Sequence, residues 1–329
     1  MKRFLFLAVL MLIFTAAAPA LTYRKAVSDG LPVRAGETEE ENITETAGTL
    51  SALSGETIAV FSPQSNKTET MPMETYIIGV VAAEMPAEYE IEALKAQALA
   101  ALSYARYTAA RSGQISADSS TAQGYLTTKE MQETWGEQYE ENHERIREAV
   151  EAVANLSLEY DGEPILAAYF AVSSGRTENA ADIWGKEYPY LVSVASDGDT
   201  LSPAFESTVT VSAEELLQKL GAVRKINANG DTDDYITDIK TTESGSVTKA
   251  VICGTTFTGS EIRDALGLAS AVFTVEEADG QFTFTVKGYG HGVGMSQYGA
   301  DYMARQGADF AEILLHYYTG AQIVQKAAA

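Results

Sequence analysis

Three clusters in the chain have residue types and spacing able to do chemistry. In the stretch Met73-Glu74-Thr75-Tyr76-Ile77-Ile78-Gly79-Val80-Val81-Ala82-Ala83-Glu84-Met85-Pro86, one carboxylate, Glu84, follows an apolar run. It sits where Pro86 must break a helix, because the residue before a proline avoids helical geometry. Near a helix C-terminus and in apolar surroundings, the charged form of a carboxyl is disfavoured, which suits a general acid at neutral pH. The N-terminus of a following helix acts in the opposite sense, and a plain helix-end glutamate is the simpler alternative. In the second cluster, Ala93-Leu94-Lys95-Ala96-Gln97-Ala98, Lys95 and Gln97 stand among alanines, with Tyr104 and Arg106 further on. They have the groups to hydrogen-bond a sugar or steady a carboxylate, or to solvate a helix face. The third is Gly288-Tyr289-Gly290-His291-Gly292-Val293-Gly294-Met295-Ser296-Gln297-Tyr298-Gly299. Its alternating glycines permit positive φ and close backbone approach to a ligand. Its spacing differs from GxGxxG and no GK[ST] follows, so it is not a phosphate-binding fingerprint. It offers a titratable ring, an amide and a phenol, or else a tight turn with a structural histidine. Ser173 and Ser174 lack a Gly-x-Ser-x-Gly elbow, and no triad can be assembled around them.

The elements that would position these residues are legible as patterns. Ordered structure is expected from near Thr57, with Ile58–Phe61 as a strand. Pro72 fits the first turn of a helix capped by Thr70, and Tyr76, Ile77, Val80 and Val81 follow helical spacing. A longer helix, about Glu88 to Arg111, carries an alanine-rich stripe. A polar stretch, Ser112–Thr128, leads to an acidic helix around Glu141–Ala154. Ser157–Tyr160, Asp161-Gly162 and Ile165–Val172 read as strand, primed turn and strand. Residues 205–287 read as a smaller α/β insertion: a strand at Val209–Val211, a helix capped by Ser212 with Glu215, and the strands Val272–Glu276 and Phe282–Val286 around Asp279-Gly280. Helices near Met295–Gln306 and Asp309–Tyr318 follow, then a C-terminal tail, 321–329. Strands and helices mix without regular alternation, so the fold class is α+β: a helical motif packed with mixed sheet elements and the inserted subdomain.

Composition narrows the function. The 329 residues carry 23 Lys+Arg against 46 Asp+Glu, a formal net charge of −23. That argues against nucleic acid and against docking on anionic lipid through a basic surface. A lone cysteine, Cys253, excludes an intramolecular disulfide and any zinc site with two or more thiolates, and three histidines leave little room for a His-rich centre. Lys2 and Arg3 precede an apolar run and small residues, the order of a secretory signal; Phe4–Leu21 is also about long enough to cross a bilayer. Residues 1–21 are therefore a signal peptide or a membrane anchor. Residues 22–56, rich in Glu, Thr, Ser, Ala and Gly, read as an acidic tether.

Taken in order, the quoted segments resemble the SpoIID/LytB family of bacterial cell-wall proteins. The matching motifs are GVVAAEMPAEYEIEALKAQA at 79–98, YFAVSSGRTENAADIWG at 169–185 followed by Tyr188-Pro189-Tyr190-Leu191, and GYGHGVGMSQYGA at 288–300. The resemblance covers about 57–320 as one catalytic domain. It implies a lytic transglycosylase that cuts glycan strands already stripped of peptide stems, in sporulation engulfment, beside a SpoIIP-like cell-wall amidase and a membrane protein partner. The N-terminal segment itself places the protein outside the cytoplasm, held at the membrane if it is not cleaved. The family's acid is the Glu of Glu-Met-Pro, here Glu84. Lys95, Gln97, Tyr104, Ser173, Ser174, Glu178, Trp184, His291, Gln297 and Tyr298 match motif positions that line the glycan cleft. Trp184 and the tyrosines are expected to stack on sugar faces, and His291 to orient the acetamido group or Glu84.

No cofactor is needed for that reaction. Some relatives bind zinc through Cys and His after the long helix; here the region reads Ala117-Asp118-Ser119-Ser120-Thr121-Ala122-Gln123-Gly124-Tyr125, with neither, so no zinc is expected. Relatives carry an Arg-Thr pair where this chain has Leu102-Ser103, although Arg106 lies one turn on. The rival function is a noncatalytic glycan-binding modulator of an amidase, which would not need Glu84. A zinc amidase is less favoured, because the histidines have no ligand spacing.

Overall fold

The computed structural model describes residues 53, 55–62, 66–118, 122–226 and 235–326. The apolar run at 4–21 and most of the acidic stretch 22–56 lie outside them. Helices and several small antiparallel or mixed sheets make the fold α+β. The chain divides into two units, one running to Ser157 and taking in the chain from Val324, the other Leu158–Ile323. Among the described residues no helix is long and apolar enough to cross a membrane.

In the first unit, β1 (Thr57–Ser62) pairs antiparallel with β2 (Lys67–Pro72) and parallel with β3 (Ile115–Ser116). Strand β2 is exposed along nearly its whole length, so it lacks the alternation that marks a strand in sequence. Its pairing also takes Thr70, opposite Ala59, out of any capping role; Pro72 itself is the N-cap residue of α1 (Met73–Glu84). Helix α1 buries Tyr76, Ile77, Ile78, Val80 and Val81, apolar on every side as a central helix should be. It stops at Met85, in extended geometry before Pro86. Helix α2 (Ile91–Ser112) buries its alanines from Ala93 to Ala105 and ends at Gly113, whose φ of 74° supplies the left-handed cap. Between the polar stretch and the acidic helix lies an unanticipated helix, α3 (Thr128–Trp135), started by a capping box between Thr127 and Glu130. Helix α4 (Tyr139–Val153) follows.

Packing begins upstream of Thr57. Leu53 is buried, and Glu56 is held by Arg106 of α2, with Nε to Oε1 at 3.0 Å and Nη2 to Oε2 at 2.8 Å. Arg106 also donates to the Leu156 carbonyl at 2.9 Å, so its role is to tie distant chain segments together. Arg106 holds the Glu56 carboxyl below its ordinary pKa by hydrogen bonding.

The second unit begins along β4 (Leu156–Tyr160), which turns through Asp161 (φ 53°) and Gly162 (φ 80°) into β5 (Glu163–Pro164). The continuous strand expected at Ile165–Val172 is broken. Only β6 (Tyr169–Phe170) remains, paired parallel with β13 (Met295–Ser296). Pro164 offers no N–H for a ladder, and Ala167 and Ala168 bond back to Ile165 and Leu166. Helix α5 (Ala180–Trp184) is short.

Residues 206–287 carry their own core. Strand β7 (Glu206–Ser212) joins β11 (Phe273–Ala278) and β12 (Gln281–Lys287) in one sheet; β8 (Ile236–Thr241), β9 (Val247–Ile252) and β10 (Thr255–Phe257) form another. Helices α6 (Ala213–Val223) and α7 (Gly259–Leu266) pack with them through Leu216, Leu220, Phe257, Ile262, Phe282 and Phe284. Ser212 accepts the Glu215 N–H, and Asp279 (φ 53°) and Gly280 (φ 74°) make the expected turn. After the glycine loop come α8 (Gln297–Arg305), α9 (Phe310–Tyr317) and β14 (Gln322–Gln325). The stretch read as a tail is thus partly a strand, and the Lys326 N–H donates to the Asn155 carbonyl at 2.7 Å.

Candidate active site

Glu84 ends α1 and is half-buried. The turn after it is clamped by Arg145 of α4, which donates to the carbonyls of Ala87 (2.9 Å) and Tyr89 (2.8 Å). The segment 122–126 lies along α1. The Gly124 N–H donates to Glu84 Oε1 at 2.5 Å. Gln123 Nε2 donates to the Tyr76 hydroxyl at 3.3 Å, and Tyr125 stacks on Tyr76 with ring centres 5.6 Å apart. The Leu126 N–H donates to the Gly79 carbonyl at 3.0 Å.

Two glycines make this approach possible. A Cβ on Gly79 would lie 2.4 Å from the Tyr125 ring, and one on Gly124 would lie 2.9 Å from Glu84 Oε1. Burial raises the Tyr76 hydroxyl far above the ordinary tyrosine pKa, and Tyr104, Glu84 and Tyr125 are close enough to add to the shift. Tyr104 therefore shares the Tyr76 neighbourhood with Glu84. Lys95 pairs with Glu92 one turn earlier, at 2.7 Å. Gln97 is 0% exposed, and neither end of its amide has a hydrogen-bond partner.

The other expected residues belong to the second unit. In the glycine loop, φ is positive at Gly288, Gly290, Gly292 and Gly294. A Cβ on Gly294 would lie 2.0 Å from the Ala168 carbonyl oxygen, so the loop lies directly on the 168–173 backbone. Cross-bonds hold it there: Tyr289 N–H to Val172 O at 2.7 Å, Glu178 N–H to Gly292 O at 2.7 Å, and Met295 N–H to Ala168 O at 3.1 Å.

His291 Nδ1 accepts the Val293 N–H at 3.0 Å, and the ring packs near Phe170 and Trp184 with centroids 5.6 and 5.4 Å away. Burial, with Arg263 nearby, pushes its pKa down to about 4, so the ring is neutral at physiological pH. Trp184 is 39% exposed, and an aromatic row continues from it through Tyr188 and Tyr190.

Glu178 is buried and accepts from Thr242 Oγ1 (3.0 Å) and the Ser246 N–H (3.2 Å); burial raises its pKa. Ser174 Oγ donates to the Ser244 carbonyl at 3.0 Å. The Ser173 N–H donates to Asp199 Oδ2 at 2.8 Å, and Ser296 Oγ donates to Asp199 Oδ1 at 2.8 Å. Gln297 is buried at the start of α8, and the Tyr298 hydroxyl donates to the Leu201 carbonyl at 3.2 Å.

Gly124, Arg145 and Asp199 have no local signal in the sequence. Asp199 is fully buried, with its pKa raised by burial, yet it sits in Ser196-Asp197-Gly198-Asp199, which reads as a solvated turn. Among the described residues no group of three or more His, Cys, Asp or Glu side chains is placed to hold a metal ion.

Comparison with known proteins agrees with these motifs. Residues 62–160 match the family model described as SpoIID, stage II sporulation protein. The chain is 41% identical over 297 residues to stage II sporulation protein D of Bacillus amyloliquefaciens, covering 88% of this chain and 85% of that protein. The corresponding protein of Bacillus subtilis is 40% identical over 280 residues, covering 81% and 78%. A Bacillus subtilis protein named amidase enhancer is 29% identical over 297 residues, covering 74% of this chain and 40% of that one. With that identity sustained over most of both chains, this protein belongs to the SpoIID family.

Proposed function

We propose that the protein is a peptidoglycan lytic transglycosylase acting on glycan strands stripped of peptide stems, with Glu84 as its acid and base. The observation that supports this most is the seating of Glu84: half-buried at a clamped helix break, with one oxygen held by the Gly124 N–H. Ordinary glycosidases use two carboxylates, one of them to provide or activate the nucleophile. In this reaction the C6 hydroxyl of N-acetylmuramic acid attacks its own C1, so a single carboxyl suffices, and intramolecularity lowers the barrier. Glu84 gives its proton to the glycosidic oxygen as the C1–O bond breaks. As carboxylate it then takes the proton of the C6 hydroxyl as the new C1–O6 bond forms. No water is consumed, and a 1,6-anhydro end results. Trp184, with the partly exposed Tyr188 beside it, supplies stacking surface for sugar. We place the protein outside the cytoplasm, held by its N-terminal segment, working in engulfment with a cell-wall amidase and a membrane protein partner.

The name of the amidase enhancer relative favours a second reading, a noncatalytic modulator that binds strands for an amidase. One experiment separates the two. The full chain is incubated with stem-free strands and the ends are analysed by mass spectrometry. Anhydro ends are expected, and Glu84→Gln should lower their rate about 100-fold or more while leaving strand binding intact. Binding without new ends in the unaltered protein would establish the modulator.

A further inference from the structure

The second unit has a small, partly open cleft between the 172–178 segment and the glycine loop. It is too small to enclose a ligand, so only a small substituent of one fits at its mouth. The polar groups on its wall are nearly all engaged. Ser173 Oγ accepts the Gly175 N–H, and Ser174 Oγ donates to Ser244. Ser270 Oγ donates to the Lys287 carbonyl at 2.6 Å, and His291 Nδ1 is taken by Val293. Glu178 also faces the cavity, with its Oε1 held by Thr242 and Ser246.

Arg176 and Lys287 both line the cavity and are exposed, and neither side chain forms an ion pair or hydrogen bond with any described residue. In a chain with twice as many acidic as basic residues, two such cations on one small cavity are unexpected unless an anion fills it. A guanidinium beside an ammonium fits a carboxylate, with the fork of the arginine taking both oxygens.

We propose that Arg176 and Lys287 form a carboxylate subsite for the free lactyl group of muramic acid. This rests on the strand-cleaving function proposed above and sharpens its substrate. While a peptide stem is attached, the lactyl carbonyl is a neutral amide carrying a bulky chain. Hydrolysis of that amide leaves a small anion. The subsite thus distinguishes stripped from unstripped strands by charge and size, and the reaction that must precede this one is amide hydrolysis at the lactyl group.

The test uses the full chain and three probes in calorimetry: a stem-free glycan oligosaccharide, the same oligosaccharide with methyl-esterified lactyl groups, and free stem peptide. The acid is expected to bind about 10-fold more tightly than the ester. Arg176→Gln with Lys287→Gln should abolish that preference and leave ester binding unchanged, while Arg176→Lys should keep part of it. Unchanged melting temperatures would show that the variants fold. Equal binding of acid and ester overturns the proposal, as does stem peptide competing for the same two cations as strongly as the stripped strand. Cleavage is scored separately. Ester-blocked strands cut as fast as free ones remove the subsite and leave the enzyme. A charge preference without anhydro ends keeps the subsite and removes the enzyme.

Discussion

Glu84 takes its orientation from a residue 40 positions away, the Gly124 that donates to its Oε1. A Cβ at Gly124 would crowd that oxygen and the Ala83 side chain without meeting buried backbone. Gly124→Ala is therefore expected to lower the rate of anhydro-end formation about 10-fold or more, with a melting temperature close to that of the parent. A comparable loss of stability would mean that the segment is structural only. His291 gives a second expectation. Its native pKa of about 4 lies below the ordinary 6.5, so the unfolded chain binds the proton more readily. Stability from this group is present above pH 6.5 and is lost as pH falls from there toward 4, by up to about 3 kcal/mol. His291→Gln should flatten that part of the stability–pH curve of the second unit, and an NMR titration should find the ring neutral at pH 6.

Helix α1 was legible because its apolar run and Pro86 are local, and the same holds for the turns at Asp161-Gly162 and Asp279-Gly280. Strand β2 was not, since it is exposed on both faces and owes its conformation to pairing with β1. The strand expected at Ile165–Val172 failed for a related reason: its backbone groups serve the glycine loop, with Ala168 and Val172 bonding to Met295 and Tyr289. The packing of 122–126 against α1 depends on Gly79, where a Cβ would strike both the Tyr125 ring and the Leu126 carbonyl oxygen. Gly79→Ala gains helix propensity of about 1 kcal/mol but must push rigid neighbours apart at a cost of about 1–3 kcal/mol. A net loss of stability is expected in denaturant unfolding, together with loss of activity because Gly124 moves with its neighbours. A gain in stability would show that Tyr125 can yield.

The net charge of −23 belongs to the whole molecule and opposes approach to an anionic polymer such as a stem-free strand. Arg176 and Lys287 are a local cationic exception that this total conceals. Screening lengths fall from about 30 Å at 0.01 M salt to about 8 Å at 0.15 M, so long-range repulsion fades before a contact inside a cavity does. Strand association is expected to quicken several-fold between those salt concentrations in stopped-flow measurements. Slowing with salt would mean that local attraction dominates at long range.

What was readable from residues alone was whatever short-range chemistry enforces: an acidic chain, an α+β mixture, a carboxylate at a proline break, a glycine loop and the family motifs around them. What needed the folded chain was every pairing between segments remote in sequence. Gly124 on Glu84, Arg145 on the turn at Ala87, Glu56 on Arg106 and Asp199 beneath Ser173 each join residues at least 26 positions apart. Their side chains are ordinary polar types that a solvated loop would also carry. Burial and partner geometry, which exist only once distant segments pack, are what turn them into parts of a site.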